Sequence, residues 1–263
     1  MSVKENVRSG PRVMGSSVGE ADVIGDKMLR LVKLLERANF MPATLSGGMQ
    51  QRVALVRALA AETKILFLDE PLSTLDPKVG VILRYEIHKM AKKLGLTVIH
   101  VTHDQQDAMS ISDKVVVMKW GKVIQVGIPK EVYFNPRTPY VAHFLGESNF
   151  IRAGVCGANE AEFSGNRVRT SSEVCGENVV LAIRPEKILF ENRLENTFEG
   201  VVGKVNFMGS VTRYSVLVDG VMFNVETAKH PELMEGSKVR IYLPPNEVMV
   251  FKGFDLEDEL RII

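Results

Sequence analysis

Between residues 65 and 101, two short apolar runs flank one long helical pattern, and this succession fixes most of what the chain can become. Ile65-Leu66-Phe67-Leu68 is wholly apolar, the pattern of a short strand covered on both faces. Residues 78–94 carry Val79, Ile82, Leu83, Ile87, Met90 and Leu94 on one helical side and stop at Gly95. Thr97-Val98-Ile99-His100-Val101 is again strand-like. A strand, a helix and a strand with no hairpin connection require a parallel sheet. Upstream, Met28, Leu31, Leu35 and Ala38 recur at helical spacing, which predicts a helix over 26–38 with Asp26 as its N-cap. Residues 47–61 predict a second helix. Downstream, Lys114–Lys119 and Lys122–Val126 flank Trp120-Gly121 as a hairpin.

The texture changes near Gly146–Phe150. Helical patterns fade, and short β-like runs follow at 179–183, 200–207, 212–218, 221–225, 238–243 and 248–251. Asp219-Gly220 and Pro244-Pro245-Asn246 punctuate them, which predicts a small all-β barrel or sandwich. A length of 263 residues suits about two domains. The 33 basic and 32 acidic side chains leave a formal charge of +1, which argues against nucleic-acid binding through a broad basic face. No apolar run approaches the ~18 residues of a membrane span, and the N-terminus lacks the apolar core of a secretory signal. Cys156 and Cys175 have no metal-like spacing, which fits a reducing compartment. Asp255–Ile263 reads either as a frayed tail or as a docking element.

Four segments of the first half carry chemistry. Ser46, Gly47 and Gly48 stand at a helix start, where free N–H groups and the helix dipole attract anions. Taken alone, this is a serine-capped helix. Asp69 and Glu70 end a buried-type strand, where ligands of open α/β sheets bind. One carboxylate can hold Mg²⁺, and the next can orient or deprotonate a water. Ser73-Thr74-Leu75-Asp76-Pro77 is a turn that also caps the next helix. Val101-Thr102-His103-Asp104 is a second strand end, carrying a histidine. Together they describe a phosphoryl-transfer site.

In this order and spacing, LSGGMQQR (45–52), ILFLDEP (65–71), STLDP (73–77) and VTHD (101–104) closely resemble the ATP-binding subunit of ABC transporters. Arg184-Pro185-Glu186 and Asn206-Phe207-Met208-Gly209-Ser210 resemble landmarks of the C-terminal TOBE domain of importer ATPases. The resemblance implies a partial P-loop NTPase α/β domain over 1–147 and a small all-β, OB-like TOBE domain over 148–263. It implies ATP and Mg²⁺, with Asp69 serving the metal, Glu70 the hydrolytic water and His103 the γ-phosphate. Ser46, Gly47 and Gly48 would contact ATP held by a partner ATPase, with Asp76 at the dimer interface. Met49 stands where the family most often has Gln. The implied partners are a second copy, integral membrane permease subunits and, indirectly, an extracytoplasmic solute-binding protein. The implied location is the cytoplasmic face of the membrane, and the junction at 146–149 resembles polyamine, ferric-iron and sugar importers, with a lean to polyamine.

None of the 21 glycines opens a GxxxxGK[ST] phosphate loop; Gly200-Val201-Val202-Gly203-Lys204 falls short of the pattern. The family's glutamine loop is also absent, and Met1–Val7 resembles the stretch just after it. The expectation is therefore a family member without its first ~80–90 residues, inactive by itself. A mis-called start, a disrupted gene, a natural split and a degenerate subunit would each produce this. The alternative function is a non-catalytic regulatory or solute-sensing module.

Overall fold

The computed structural model describes residues 1–61, 63–73, 76–254 and 256–260. Thr74 and Leu75 of the 73–77 turn, the Leu94 side chain of the 78–94 face, and Asp255 and 261–263 of the last segment lie outside the described residues. The chain divides into two compact units, Met1–Asp113 and Lys114–Ile263.

In the first unit, α1 (Val3–Val13) and α2 (Val18–Leu31) each open with a serine–glutamate capping box, Ser2 with Glu5 and Ser17 with Glu20. This corrects the helix expected over 26–38. The Ser17 box starts the helix at Val18, so Asp26 lies inside it and caps nothing. The Asp26 carboxylate pairs instead with Lys4 at 3.1 Å. After α2, Lys33 takes a left-handed φ of 59°, and only a short 3-10 turn, Leu35–Arg37, follows. The apolar period runs on across the break because Met28 and Leu34 still fill the same core.

Next come α3 (Gly47–Ala60), β1 (Ile65–Asp69), α4 (Pro77–Leu94), β2 (Thr97–Val101) and α5 (Gln105–Ile111). β1 and β2 pair in parallel, with Ile65 opposite Thr97 and Asp69 opposite Val101. Gly95 ends α4 at φ 64°, a left-handed cap that costs glycine nothing. Leu83 and Ile87 of α4 join Leu66, Leu68, Val56 and Leu59 in the core, whereas Ile82 is exposed. β1 is not covered on both faces. Leu66 and Leu68 are buried, but Ile65 is 54% and Phe67 72% exposed, beside Ile99 at 47% and Val101 at 56%. Among the described residues this sheet has two strands, with one face packed on the core and the other bare.

The second unit opens with the hairpin of β3 (Val115–Lys119) and β4 (Lys122–Gly127). Trp120 and Gly121 both have positive φ, 49° and 74°, as a two-residue turn matched to strand twist requires. Two short helices follow, α6 (Pro129–Phe134) and α7 (Pro139–Phe144). The remaining strands are β5 (Asn149–Gly157), β6 (Glu160–Phe163), β7 (Asn166–Arg169), β8 (Asn178–Ile183), β9 (Thr197–Phe207), β10 (Thr212–Val218), β11 (Val221–Thr227), β12 (Lys238–Tyr242) and β13 (Met249–Lys252). They form two antiparallel sheets, ordered β11-β10-β9-β12 and β13-β8-β5-β6-β7, and α8 (Leu256–Leu260) follows. Leu181, Ile183, Val216, Phe223 and Ile241 are among the side chains of the core they share. Cys156 and Cys175 are free and exposed.

Arg184, just after β8, is buried in this unit. Its Nη1 donates to the carbonyls of Ala142, Gly146 and Glu147 and to Ser148 Oγ, and its Nη2 to the Tyr133 carbonyl. It lies over the Tyr133 ring, and burial pushes its pKa below the ordinary value. Glu186 accepts from the Tyr133 hydroxyl at 2.9 Å. Arg184 thus ties the chain between α6 and β5 to the sheets.

Candidate functional site

The site is built from the two strand ends of the first unit. Burial of Leu66 and Leu68 fixes β1, so Asp69 closes the ladder opposite Val101, and the next N–H, that of Glu70, donates to the Val101 carbonyl at 2.9 Å. Glu70 itself sits at φ 43°. A left-handed backbone at a non-glycine residue costs about 1–2 kcal/mol. Three donors hold it there: Gln51 Nε2 at 2.9 Å, Ser73 Oγ at 3.0 Å and Ser73 N at 3.3 Å all donate to the Glu70 carbonyl. The strain turns the chain so that Glu70 projects at the end of the strand.

Opposite it, His103 Nδ1 stands 2.9 Å from Glu70 Oε1. The imidazole is 71% exposed. The hydrogen bond and charge of Glu70 raise its pKa from the ordinary 6.5. Asp69 is exposed, and among the described residues its carboxylate takes no hydrogen bond or ion pair. It is thus a hard oxygen donor at a strand end. Among the described residues no three His, Cys, Asp or Glu side chains gather to hold a metal. That donor set fits Mg²⁺ carried in with nucleotide phosphates and water, because Mg²⁺ commonly takes only one or two carboxylates from protein.

Ser46 occupies the N-cap position of α3, yet its hydroxyl makes no cap bond. The plain reading of Ser46 as a side-chain cap therefore does not hold. Ser46 and Gly47 are exposed, and a side chain at Gly47 would meet open space. The first N–H groups of α3 have no intrahelical acceptor. Among the described residues Ser46, Gly47 and Gly48 make no hydrogen bond to Glu70 or His103, whereas Gln51, one turn further on, reaches the Glu70 carbonyl. Asp76 is exposed and caps α4, its Oδ1 accepting from Lys78 N at 2.9 Å and Val79 N at 3.4 Å.

Sequence reasoning did not single out Gln51, Arg84 or Asp107. Gln51 lies inside the quoted LSGGMQQR run, but its spacing to Glu70 becomes a contact only when α3 packs beside β1. Asp107 is a buried carboxylate on a helix that follows a capping aspartate, so its pattern reads as ordinary first-turn acid.

A family model described as ABC transporter matches residues 1–73, and one described as TOBE domain matches residues 181–251. An Fe(3+) ions import ATP-binding protein of Fusobacterium nucleatum is 34% identical over 258 residues, covering 96% of this chain and 67% of the relative. A spermidine/putrescine import ATP-binding protein of Trichormus variabilis is 37% identical over 241 residues, covering 86% of this chain and 63% of the relative. A second Fe(3+) ions import ATP-binding protein, from Rhizobium meliloti, is 34% identical over 259 residues, covering 96% and 73%. The chain thus spans 63% to 73% of the length of these three relatives.

Proposed function

This chain belongs to the ATP-binding subunits of ABC transporters, and from that premise we propose that it is the energy-coupling ATPase subunit of a solute importer. The observation that carries the reading is the 2.9 Å pair of Glu70 and His103, at the ends of two parallel strands, beside the exposed Asp69. Glu70 is the group that orients and deprotonates the attacking water, and it sits at the strand end with a left-handed backbone. His103, with Nδ1 engaged by Glu70, keeps Nε2 to donate to a γ-phosphate oxygen. Asp69 would hold Mg²⁺, which when bound would draw charge from the phosphate oxygens. The 263 residues contain no GxxxxGK[ST] loop, so in this reading the phosphates are cradled by residues outside them.

Ser46, Gly47 and Gly48 serve ATP held by a second copy. Their free helix-start N–H groups and the unspent Ser46 hydroxyl support that role. Asp76 lies at the interface of the two copies. Residues 1–147 are the ATPase part and 148–263 the TOBE part. The implied partners are membrane permease subunits, with a solute-binding protein acting through them, and the implied place is the cytoplasmic face of the membrane. No helix among the described residues is long and apolar enough to cross it. The relatives are named for the import of Fe(3+) ions or of spermidine/putrescine, and polyamine is the solute class we favour.

The test is Glu70→Gln in the protein assembled with a polypeptide bearing the phosphate loop. ATP turnover falls about 10²–10⁴-fold while nucleotide binding persists. Normal turnover in that variant overturns the role of Glu70, and no turnover by the parent assembly favours a non-catalytic regulatory subunit.

A further inference from the structure

Among the described residues Asp107, on α5, is the buried carboxylate of the first unit, 3% exposed. Arg84, on α4, donates from Nε to its Oδ1 at 2.5 Å, and Arg84 Nη2 pairs with it as well. The other oxygen, Oδ2, accepts from Thr102 Oγ1 at 3.4 Å and faces His100 Nε2 at 3.9 Å. Among the described residues that His100 nitrogen has no hydrogen-bond partner. Burial lowers the His100 pKa, with Asp107 opposing and Arg84 acting the same way as burial, which favours the neutral ring. Arg84, in direct contact, is the cation that Asp107 holds.

The same cluster grips both neighbours of His103. Thr102 Oγ1 donates to Asp107 and accepts the Asp104 N–H at 3.0 Å. Asp104 caps α5 through Gln106 N at 2.7 Å, and its Oδ2 lies 3.6 Å from Arg84 Nη2. His103 is largely exposed, and among the described residues its ring pairs with Glu70. Packing therefore does not orient the imidazole. Its place is set by the residues before and after it. At one end the strand ladder anchors Val101, and at the other the Arg84–Asp107 pair anchors α5. With the second anchor removed, the ladder at Val101 would be the remaining backbone support of residues 102–104.

We propose that Arg84 and Asp107 form a positioning pair that holds His103 against Glu70 through Thr102 and Asp104. The proposal rests on the roles given above to Glu70 and His103, but the geometry it asserts can be tested without turnover. Two variants are needed, because Asp107→Asn leaves a shielded guanidinium without its counter-charge. The second, Arg84→Met with Asp107→Leu, keeps an apolar filling in the same space and leaves no lone charge.

In long-range ¹H–¹⁵N spectra of the histidine rings of the whole chain, His103 should show Nδ1 engaged by a carboxylate, a signature that Glu70→Gln removes. Both positioning variants should shift His103 to that free-ring signature, while His143 and His230 stay in place. An unchanged His103 signature in the folded variants overturns the proposal. So does loss of cooperative unfolding in the Arg84→Met/Asp107→Leu protein, which would make the pair a determinant of the fold instead.

In the assembled ATPase, Asp107→Asn should lower kcat about 10²-fold with KM nearly unchanged, the scale of a 1 Å misplacement. Asp107→Glu should restore most of it. Adding Asp107→Asn to His103→Ala should cost nothing further, and additive losses overturn the coupling. Absence of turnover in the parent assembly counts against the ATPase reading alone, and the ring spectra then decide the positioning claim.

Discussion

The bare face of β1 and β2 sets how this chain behaves in solution, and the effect can be sized. Ile65, Phe67, Ile99 and Val101 lie partly exposed on that face. At about 2 kcal/mol for a fully buried apolar side chain, covering their exposed fractions is worth about 4–5 kcal/mol. Two copies meeting face to face would gain roughly twice that. Association itself costs about 4–15 kcal/mol, so the balance is small and self-association is weak, far from the ~8 kcal/mol of a micromolar complex. The perturbation is Phe67→Lys with Ile99→Glu. These residues are direct partners across the parallel pair, so opposite charges avoid repulsion. Both sites are already wet, so the fold should lose no more than about 1 kcal/mol. Sedimentation velocity should show the parent chain's average mass rising with concentration, more steeply in sulfate, which strengthens apolar burial. The double variant should stay monomeric and melt within a few degrees of the parent, the shift that a loss of about 1 kcal/mol allows. A parent chain that remains monomeric in sulfate, or a double variant that associates equally, refutes the sizing.

Asp76→Ala removes the side-chain acceptor for two N–H groups of α4 and should cost about 1 kcal/mol of stability by denaturant unfolding. A loss of ATP-driven dimerisation beyond that cost would report the interface role proposed for Asp76, and a loss no greater would confine Asp76 to capping. His103 has a folded pKa raised above 6.5 by Glu70, so the stability from this contact is complete below the unfolded value and fades as pH rises through the folded one. A histidine titration by NMR should place its midpoint above 6.5 and bring it back towards 6.5 in Glu70→Gln; a midpoint unmoved by that substitution contradicts the pairing.

What the sequence disclosed about the site was the order of its parts. Asp69, Glu70 and His103 could be placed at strand ends because apolar runs stop there, and the structure brings Glu70 and His103 within 2.9 Å. The supports of that pair were hidden. Gln51 reaches Glu70 across 19 residues and Arg84 reaches Asp107 across 23, distances at which periodicity carries no information. The left-handed turn at Glu70 was equally invisible, since glutamate carries no mark of positive φ as glycine or asparagine does. Arg184 shows the same limit. A neighbouring Glu186 suggests an ion pair, but the guanidinium spends its donors on carbonyls near 142–147, which only the folded chain gathers.

For the fold, pattern gave the apolar period and missed what interrupts or covers it. The run from Met28 to Ala38 keeps its helical spacing through a break at Lys33, because core-facing positions persist in a helix and in the 3-10 turn after it. A local signal of greater weight stood earlier, in the Ser17–Glu20 box. Strands β5, β6 and β7 carry no apolar run of the kind that marks the others, because Arg152, Glu162 and Arg167 alternate with buried Ile151, Phe163 and Val168. β1 failed in the opposite sense. Four consecutive apolar residues state that both faces of a strand suit an apolar cover, but they do not state that these 263 residues supply it. Phe67 and Ile99 are therefore the residues at which sequence and structure disagree most usefully. Their side chains suit a dry environment that the described residues do not provide, and the association measured for the Phe67→Lys/Ile99→Glu pair tells whether the chain finds that cover in its own copies.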